Sequence, residues 1–289
     1  MKATVAIVNY NTKDFLDKCL NSIYKFGSKY DIDVIVVDNN SNDGSVRMVR
    51  NNYPDVKLIT NSENIGYTAA ANKAIKATNS DFIMLLNTDT EVFRGSIDKI
   101  IEYLENNPDV GVVGPKTIDS LGNVHLSCRR FPSFKEAAMH VLIGIFWSKN
   151  PYTRKYKMID FDHDKEVKID WVSGACMALR RKALKEVGLF DERYYMYVED
   201  LDICKRMWQA GWEVRYFPKA IVLHHIGGST KGAGIELFYQ QQKSVFRYFL
   251  KNYGNTWRII FSPLLAIALG FRILIFSIIK IYDKFGKRK

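Results

Sequence analysis

Two acidic residues follow apolar segments of the sequence where a strand would end. Asp38 comes directly after Val34–Val37, and Asp89 lies two residues beyond Asn87, after Phe82–Leu86. A carboxylate in such a place can accept hydrogen bonds from a ribose or base, or hold Mg²⁺ or Mn²⁺, because hard cations prefer oxygen ligands. Each motif alone also fits a turn or helix cap built from Asp and Asn. Two acidic strand ends in one chain favour a binding site.

Three further acids, Glu199, Asp200 and Asp202, begin a segment with helical periodicity, Glu199–Ala210. They would stabilise a helix dipole, which is the purely structural explanation. The functional explanation is that one of them acts as a general base. We expect the aromatic residues nearby to wall a sugar pocket and to raise the pKa of a carboxylate. These aromatic residues are Phe190, Tyr194, Tyr195, Tyr197 and Trp208.

Two adjacent histidines, His224 and His225, follow the last predicted strand and precede Gly227 and Gly228. A neutral imidazole is a good ligand for Mn²⁺ and for softer metals. A pair of histidines is more often structural, so the motif alone does not identify a metal site. The glycines fit a loop that closes over a ligand.

The elements that must position these residues alternate between strand and helix. The predicted strands are Thr4–Val8, Val34–Val37, Val56–Ile59, Phe82–Leu86 and Val110–Val113, and the predicted helices are Lys13–Phe26, Ser45–Arg50, Gly66–Lys76 and Ser96–Glu105. Continuous apolar strands in such an alternation predict an α/β fold with a mainly parallel sheet covered on both faces. Ligands of these sheets bind beyond the carboxyl ends of the strands, where Asn9, Asp38 and Asp89 lie.

The second half of the chain is less regular. Residues 115–170 show no sustained periodicity. Beyond them the predicted helices are Arg181–Val187, Glu199–Ala210 and Ile235–Tyr253, and the predicted strands are Val214–Phe217 and Ala220–Leu223.

Composition excludes several classes of protein. The chain has 289 residues, of which 47% are hydrophobic and 25% charged, the range of a globular protein rather than a disordered, collagen-like or coiled-coil chain. Its four cysteines lie far apart without a CxxC pair, which argues against a zinc finger or a disulfide framework and favours reduced thiols. The short apolar run Ala3–Val8 is no export signal, so we expect a cytosolic catalytic part.

The basic charge of the chain is concentrated at its C-terminal end. Ten basic residues and one acid lie between Lys243 and Lys289, and they account for most of the net charge of +11. The same region contains Ile259–Ile279, whose only charge is Arg272, so a membrane with anionic lipids is a better partner than nucleic acid.

We therefore predict a helical tail that associates with the membrane. Its uninterrupted apolar stretch, 259–271, has 13 residues, fewer than the roughly 20 needed to span. An interfacial or re-entrant helix is favoured, and a single span and a core or oligomer helix are the alternatives. Pro263 is expected to interrupt this helix. On a helical wheel several basic residues share a face of about 80°, which favours contact with head groups. They are Arg247, Lys251, Arg258, Arg272 and Lys280.

Nine short motifs in one order resemble family 2 glycosyltransferases of GT-A fold, and within that family the rhamnosyltransferase-like branch of bacterial surface-polysaccharide enzymes. The resemblance covers about residues 3–230. The motifs are Val8–Asn11, Val37–Gly44, Asn64–Tyr67, Leu86–Asp89, Gly114–Lys116, Arg130–Pro132, Trp171–Ala175, Phe190–Glu192 and Glu199–Asp202. The implied fold is a Rossmann-like mixed sheet, with a catalytic domain over 1–232 and the helical tail over 233–289.

The resemblance implies a role for each matching residue on the donor side. Asp38 would bind the nucleotide base or ribose, with Asn9 and Asn64 nearby. Asp89 takes the place of the last acid in the DxD metal motif of the family. Asn87 replaces the first acid of that motif and is counted with the nucleotide-binding residues.

The remaining roles concern the metal and the acceptor. His224 resembles the second metal or diphosphate ligand, with His225 as its rival, and Asp200 matches the catalytic base. Further residues are implied in acceptor binding or in support of the site. They are Trp171, Gly174, Glu199 and Asp202.

The implied reaction is an inverting transfer of one sugar, dependent on Mn²⁺ or Mg²⁺, from a nucleotide diphosphate sugar to a lipid-linked or saccharide acceptor. The branch favours dTDP-rhamnose as donor, with UDP-hexoses next. The Gln/Arg-x-x-Arg-Trp motif of processive members is missing from Arg206–Trp212, which favours single transfer. We expect the enzyme to lie at the cytoplasmic face of the cell membrane, with a peripheral or monotopic attachment. A homo-oligomer is also compatible with the sequence.

Two other functions fit parts of the pattern. A non-catalytic protein that binds a nucleotide sugar or saccharide could use the same scaffold, because fold does not fix function. A nucleotidyltransferase would carry a glycine-rich basic loop after the first strand, and Asn9–Lys13 has none.

Overall fold

The computed structural model describes residues 2–132, 136, 147, 150–225, 227–228 and 234–286, with side chains up to residue 280. The helices are α1 (Lys13–Phe26), α2 (Ser45–Asn52), α3 (Tyr67–Lys76), α4 (Ser96–Asn106), α5 (Pro151–Tyr156), α6 (Arg181–Val187), α7 (Glu199–Gln209), α8 (Ile235–Tyr253) and α9 (Ser262–Gly286), with a 3₁₀ helix at Trp257–Phe261. The strands are β1 (Ala3–Asn9), β2 (Ile32–Asp38), β3 (Lys57–Thr60), β4 (Phe82–Asn87), β5 (Thr90–Val92), β6 (Val110–Ile118), β7 (Val124–His125), β8 (Cys128–Arg129), β9 (Val167–Lys168), β10 (Trp171–Val172), β11 (Cys176–Arg180) and β12 (Glu213–His224).

Most strands form one mixed sheet in the order β3-β2-β1-β4-β11-β6-β12-β5, with β7 beside β6 and β9 beside β12. The strands β3, β2, β1 and β4 are parallel, whereas β11 runs antiparallel to both β4 and β6. The carboxyl ends of β1, β2 and β4 therefore meet at one edge of the sheet. The α/β class predicted from the alternating pattern is confirmed.

The core lies on both faces of this sheet. Along β1, Val5 and Ile7 pack in one cluster with α1 and α4, while Ala6 packs in the other with α3. Successive side chains of a strand point to opposite faces. A strand covered on both sides is therefore apolar throughout, which is why β1, β2 and β4 were recognisable. The four cysteines are buried and free.

The structure differs from the predicted elements at several strands. The two strands predicted at Val214–Phe217 and Ala220–Leu223 are one strand, β12, whose register with β6 shifts between Phe217 and Ile221. Pro218 lies in this shift and lacks the N–H that a regular ladder needs. The central β11 and the short strands β5, β7, β8, β9 and β10 were not predicted.

The predicted tail consists of two different helices. Helix α8 is held to the catalytic part, since Ser244 Oγ donates to the Met196 carbonyl at 3.0 Å and Arg247 donates to the Arg193 carbonyl. Lys251 pairs with Asp191 at 2.8 Å. The predicted basic face shared by residues 247–280 assumed one continuous helix. This prediction is wrong, because α8 ends at Tyr253 and α9 begins at Ser262.

Helix α9 exposes an apolar face. Together with the preceding 3₁₀ helix, it carries large apolar side chains at intervals of three and four that are more than half exposed. This stripe consists of Trp257 and Ile260 of the 3₁₀ helix and Leu264, Ile267, Phe271, Leu274 and Ile278 of α9. On the other side Phe276 stacks on Phe238 of α8, with ring centroids 4.2 Å apart. Pro263 does not interrupt α9, because proline is tolerated in the first turn of a helix.

By length and composition, Trp257–Lys280 is long and apolar enough to cross a membrane, and only 6% of its most apolar part is buried within the chain. This exposure argues against a core helix of this chain.

Candidate active site

An open cavity of about 180 Å³ lies beyond the carboxyl end of β4. It brings together four of the predicted site residues that carry charge or metal-binding groups: Asp89, Glu199, Asp200 and His224. The other residues that line it are Tyr67, Asn87, Ser173, Gly174, Ala175, Met196, Tyr197 and Gly227. Residues from five separate parts of the sequence thus converge where an α/β sheet binds its ligands.

A strained turn delivers the two carboxylates to this cavity. Tyr197 and Val198, the residues before α7, both have left-handed backbone conformations, with φ of 67° and 72°. A β-branched residue such as valine rarely adopts this conformation, and such strain is common at functional sites. Of the aromatic residues predicted to wall the pocket, Tyr197 lines it.

The two adjacent carboxylates have different surroundings. Burial raises the pKa of Glu199 well above its usual range, and the charge of Asp200 raises it further. Burial also raises the pKa of Asp200, but N–H groups of Gly174 and Leu201, at 2.9 and 2.8 Å, and the charge of Arg129 oppose the rise. Oε2 of Glu199 has no hydrogen-bond partner in the described part of the chain. The negative charge is therefore better stabilised on Asp200.

Asp202 lies outside the cavity although it belongs to the same acidic motif. It accepts hydrogen bonds from Arg206 of its own helix at 2.9 Å and pairs with Lys251 of α8 at 2.7 Å. The buried Tyr194 hydroxyl lies 3.3 Å from it. Because residues two positions apart on a helix point in different directions, Asp202 joins α7 to α8 while Asp200 faces the cavity.

Strand pairing brings Asp89 and His224 together. β12 runs antiparallel to β5 so that His224 lies opposite Thr90, the residue after Asp89. His224 Nε2 is 3.4 Å from Asp89 Oδ1. His225 turns away, with its Nε2 2.7 Å from Glu91 Oε1. Of the two histidines left open by the sequence, His224 is the one that faces Asp89.

A third histidine lies beside this pair and was missed by the sequence analysis. His125 of β7 places its Nδ1 3.3 Å from Nδ1 of His224. Burial, together with the charges of His224, Arg129 and Lys157, lowers the pKa of His125 to about 4. No spacing or motif in the sequence connects residue 125 with residue 224.

The donor set at Asp89 and His224 fits a divalent cation. A carboxylate and an imidazole suit Mn²⁺, and Mg²⁺ also accepts carboxylate oxygen. No group of three or more His, Cys, Asp or Glu side chains that could hold a metal is found among the described residues. A cation held by two side chains keeps other positions for phosphate oxygens and water, as Mg²⁺ commonly does in phosphate-binding sites.

Two of the predicted nucleotide-binding residues, Asn9 and Asp38, form a second polar group at the ends of β1 and β2, whereas Asn87 lines the cavity. Asn9 is fully buried and donates to Asp38 Oδ1 at 2.7 Å and to Ser41 Oγ at 3.1 Å. Asp38 Oδ2 accepts from the Ser41 N–H at 2.8 Å. Asn9 thus orients Asp38. Asn64 caps the turn before α3, accepting from the Gly66 N–H at 3.0 Å, and neither it nor Asp38 lines the cavity.

The motif around Trp171 contacts α7 through Gly174. Trp171 Nε1 donates to the Arg130 carbonyl at 3.1 Å, and the ring lies near the guanidinium of Arg129. A Cβ added to Gly174 would lie 3.6 Å from Asp200 Oδ2. Gly174 thus brings its N–H against the carboxylate, whereas Trp171 lies behind the cavity wall.

The comparisons with known proteins agree with this arrangement. The model of glycosyl transferase family 2 matches residues 4–188. The chain belongs to this family. An N-acetylglucosaminyl-diphospho-decaprenol L-rhamnosyltransferase of Mycobacterium tuberculosis is 32% identical over 265 residues, which cover 88% of this chain and 86% of that protein. Rhamnosyltransferase WbbL of Escherichia coli K12 is 24% identical over 252 residues, which cover 84% and 91%.

Solved structures show the same fold. A mannosyltransferase from Pyrobaculum calidifontis, in complex with GDP-Man and Mn²⁺, matches with a TM-score of 0.58 at 19% identity, over 91% of this chain and 68% of that one. These matches confirm the prediction that the chain is a family 2 glycosyltransferase of GT-A fold, similar to rhamnosyltransferases. The enzyme class is a glycosyltransferase.

Proposed function

We propose that this glycosyltransferase transfers one sugar, with inversion, from a nucleotide diphosphate sugar to a lipid-linked acceptor in cell-surface polysaccharide synthesis. The observation that carries the proposal is the shared cavity, in which the cation ligands Asp89 and His224 face the same space as Asp200. The likeness to the two rhamnosyltransferases supports dTDP-rhamnose as donor, with UDP-hexoses next. The acceptor named for the mycobacterial relative, a sugar diphosphate on a polyprenol, supports a lipid-linked diphosphate here.

On the donor side, Asp38, Asn64 and Asn87 bind the nucleoside, and Asp89 and His224 hold a divalent cation, Mn²⁺ or Mg²⁺. When bound, the cation stabilises the charge that develops on the departing diphosphate. Asn9 keeps the Asp38 carboxylate in place through its 2.7 Å hydrogen bond.

On the acceptor side, Asp200 takes the proton of the attacking hydroxyl. The acceptor oxygen bonds to the anomeric carbon from the face opposite the diphosphate, and the bond to the diphosphate breaks with its electron pair. One displacement inverts the configuration. Gly174 and Leu201 hold the Asp200 carboxylate through their N–H groups, while Glu199 lies beside it in the cavity wall.

The exposed stripe of α9 supports attachment of the enzyme to the membrane that contains such an acceptor. A face of large apolar side chains beside a basic chain end fits an interface with anionic lipids. Helix α8, tied to the catalytic part through Lys251, connects this membrane contact to the site. We propose the cytoplasmic face, with a peripheral or monotopic attachment.

Calorimetric binding of dTDP, UDP and GDP, with and without Mn²⁺, tests the donor site. We expect one diphosphate to bind in a Mn²⁺-dependent manner, and this dependence to disappear in Asp89→Ala. Asp55→Ala is the matched control, since Asp55 is exposed and does not line the cavity. If a folded wild-type sample bound none of the nucleotides, the donor site would be misassigned.

A further inference from the structure

The contact between His125 and His224 has a consequence for the tautomer of His224. Their Nδ1 atoms are 3.3 Å apart and the ring centroids 5.1 Å. No other hydrogen bond to His224 Nδ1 is found within the described ranges, so this nitrogen depends on His125. His224 Nε2 faces Asp89 instead.

A neutral imidazole has one N–H and one lone pair, so the two ring nitrogens cannot both be free to bind a cation. For Nε2 of His224 to be a ligand, the proton must lie on Nδ1. The Nδ1 proton then needs an acceptor, and the lone pair of His125 Nδ1 is the acceptor within reach. In metal sites the partner of the second nitrogen fixes the tautomer and the orientation of the ring.

We propose that His125 is a positioning residue that holds His224 in the tautomer with Nε2 free for a divalent cation. This inference rests on the proposed cation site. His125 does not touch the cavity, since it is missing from the residues that line it. It acts on His224 alone, by accepting the Nδ1 proton and by fixing the plane of the ring.

The hairpin that carries His125 is built to keep it in place. His125 lies opposite Thr117 of β6, and Thr117 Oγ1 donates to its carbonyl at 3.0 Å. The turn is closed by Asp119, which accepts from the N–H groups of Leu121 and Asn123, each at 2.9 Å. These contacts hold the backbone of His125 beside β12 without a bound ligand, and the contact with His224 orients its ring.

Two variants of equal size separate the hydrogen bond from packing. The amide oxygen of His125→Asn can accept near the position of Nδ1, whereas His125→Leu cannot accept. Mn²⁺ affinity is measured on the full chain with dTDP or UDP, by the loss of the electron paramagnetic resonance signal of free Mn²⁺. We expect His125→Leu to bind Mn²⁺ about tenfold or more weakly and His125→Asn to retain most of the affinity. Val124→Thr, the exposed neighbour on the same strand, should behave as wild type.

Thermal unfolding of both variants controls for folding. Equal midpoints with unequal Mn²⁺ affinities support the inference. Equal Mn²⁺ affinities for wild type and His125→Leu, with binding lost in His224→Leu, overturn it while leaving the cation site intact. If wild type itself bound no Mn²⁺ with either nucleotide, the proposed cation site and this inference would both be wrong.

Discussion

Replacing Asp200 by asparagine tests the base directly. The change keeps the size of the side chain and removes its ability to take a proton. A general base contributes about 10²- to 10⁴-fold to a rate, so we expect kcat to fall by that factor, which is about 3–5 kcal/mol in the activation barrier. The Michaelis constant for the donor should stay close to wild type, because Asp38, Asp89 and His224 are unchanged.

The structure also predicts a small effect on stability. The asparagine oxygen can keep one of the two backbone hydrogen bonds, from Gly174 or Leu201. The other N–H would face the amide NH₂, at a cost of about 1 kcal/mol. Removal of a partly buried charge next to Glu199 offsets this cost. We therefore expect the unfolding midpoint to change by only a few degrees.

Steady-state kinetics with the donor and a lipid-linked acceptor measures these constants. Glu199→Gln is the matched control, because it changes the adjacent carboxyl without removing the proposed base. A larger loss of kcat in Glu199→Gln than in Asp200→Asn would assign the base to Glu199 and refute the reasoning.

The pH profile gives a second measure of the same group. Burial raises the pKa of Asp200, and the base must be deprotonated to act. Activity is therefore present above this raised pKa and is lost as pH falls through it. The charge of Arg129 lowers the pKa of Asp200, so Arg129→Met should move the acidic limb to higher pH. If the midpoint pH of the acidic limb stayed the same in Arg129→Met, or moved to lower pH, another group would control the loss of activity.

The other predictions concern the tail and two structural residues. Deleting residues 255–289 should leave a soluble protein that binds the donor but glycosylates lipid acceptors poorly; retention on anionic vesicles at high salt, in a flotation assay, would contradict this. Asp202→Asn should lower the free energy of unfolding by about 2–3 kcal/mol, because it weakens charged hydrogen bonds that include Lys251, with kcat little changed; denaturant unfolding and kinetics check both. Gly66→Ala should cost about 1–3 kcal/mol or more, since Gly66 has φ 84° and ψ 167°, a region almost restricted to glycine, and its added Cβ would lie 2.6 Å from the Tyr195 carbonyl oxygen. An Ala variant as stable as wild type would show that the turn relaxes.

Much of the nucleotide-binding half could be predicted from the sequence. Its strands are covered on both faces, so β1, β2 and β4 are continuous apolar runs with turn residues at their ends. β11 could not be predicted, because it enters the centre of the sheet antiparallel, between strands distant in sequence. β12 was divided in two because Pro218 looks like the end of a strand, whereas the sheet absorbs it as a shift in register.

The site shows a similar limit. Asp89 and Asp200 could be selected by type and motif, but their proximity to His224 follows from pairing of β12 with β5, which no local pattern reveals. Helical geometry could have separated Asp202 from Asp200, since two residues along a helix turn a side chain by about 200°. His125 had no signal, because it belongs to a strand of two residues and acts only through a distant neighbour.

Sugar transfer by the purified full-length chain tests the central claim most directly. The protein is incubated with dTDP-rhamnose, Mn²⁺ and an N-acetylglucosaminyl-diphospho-polyprenol, and the product is analysed by mass spectrometry and by the anomeric signals in NMR. We expect one added sugar with the anomeric configuration opposite to that of the donor, and little product with Asp200→Asn. Full activity in that variant, or a product that retains the donor configuration, would contradict it.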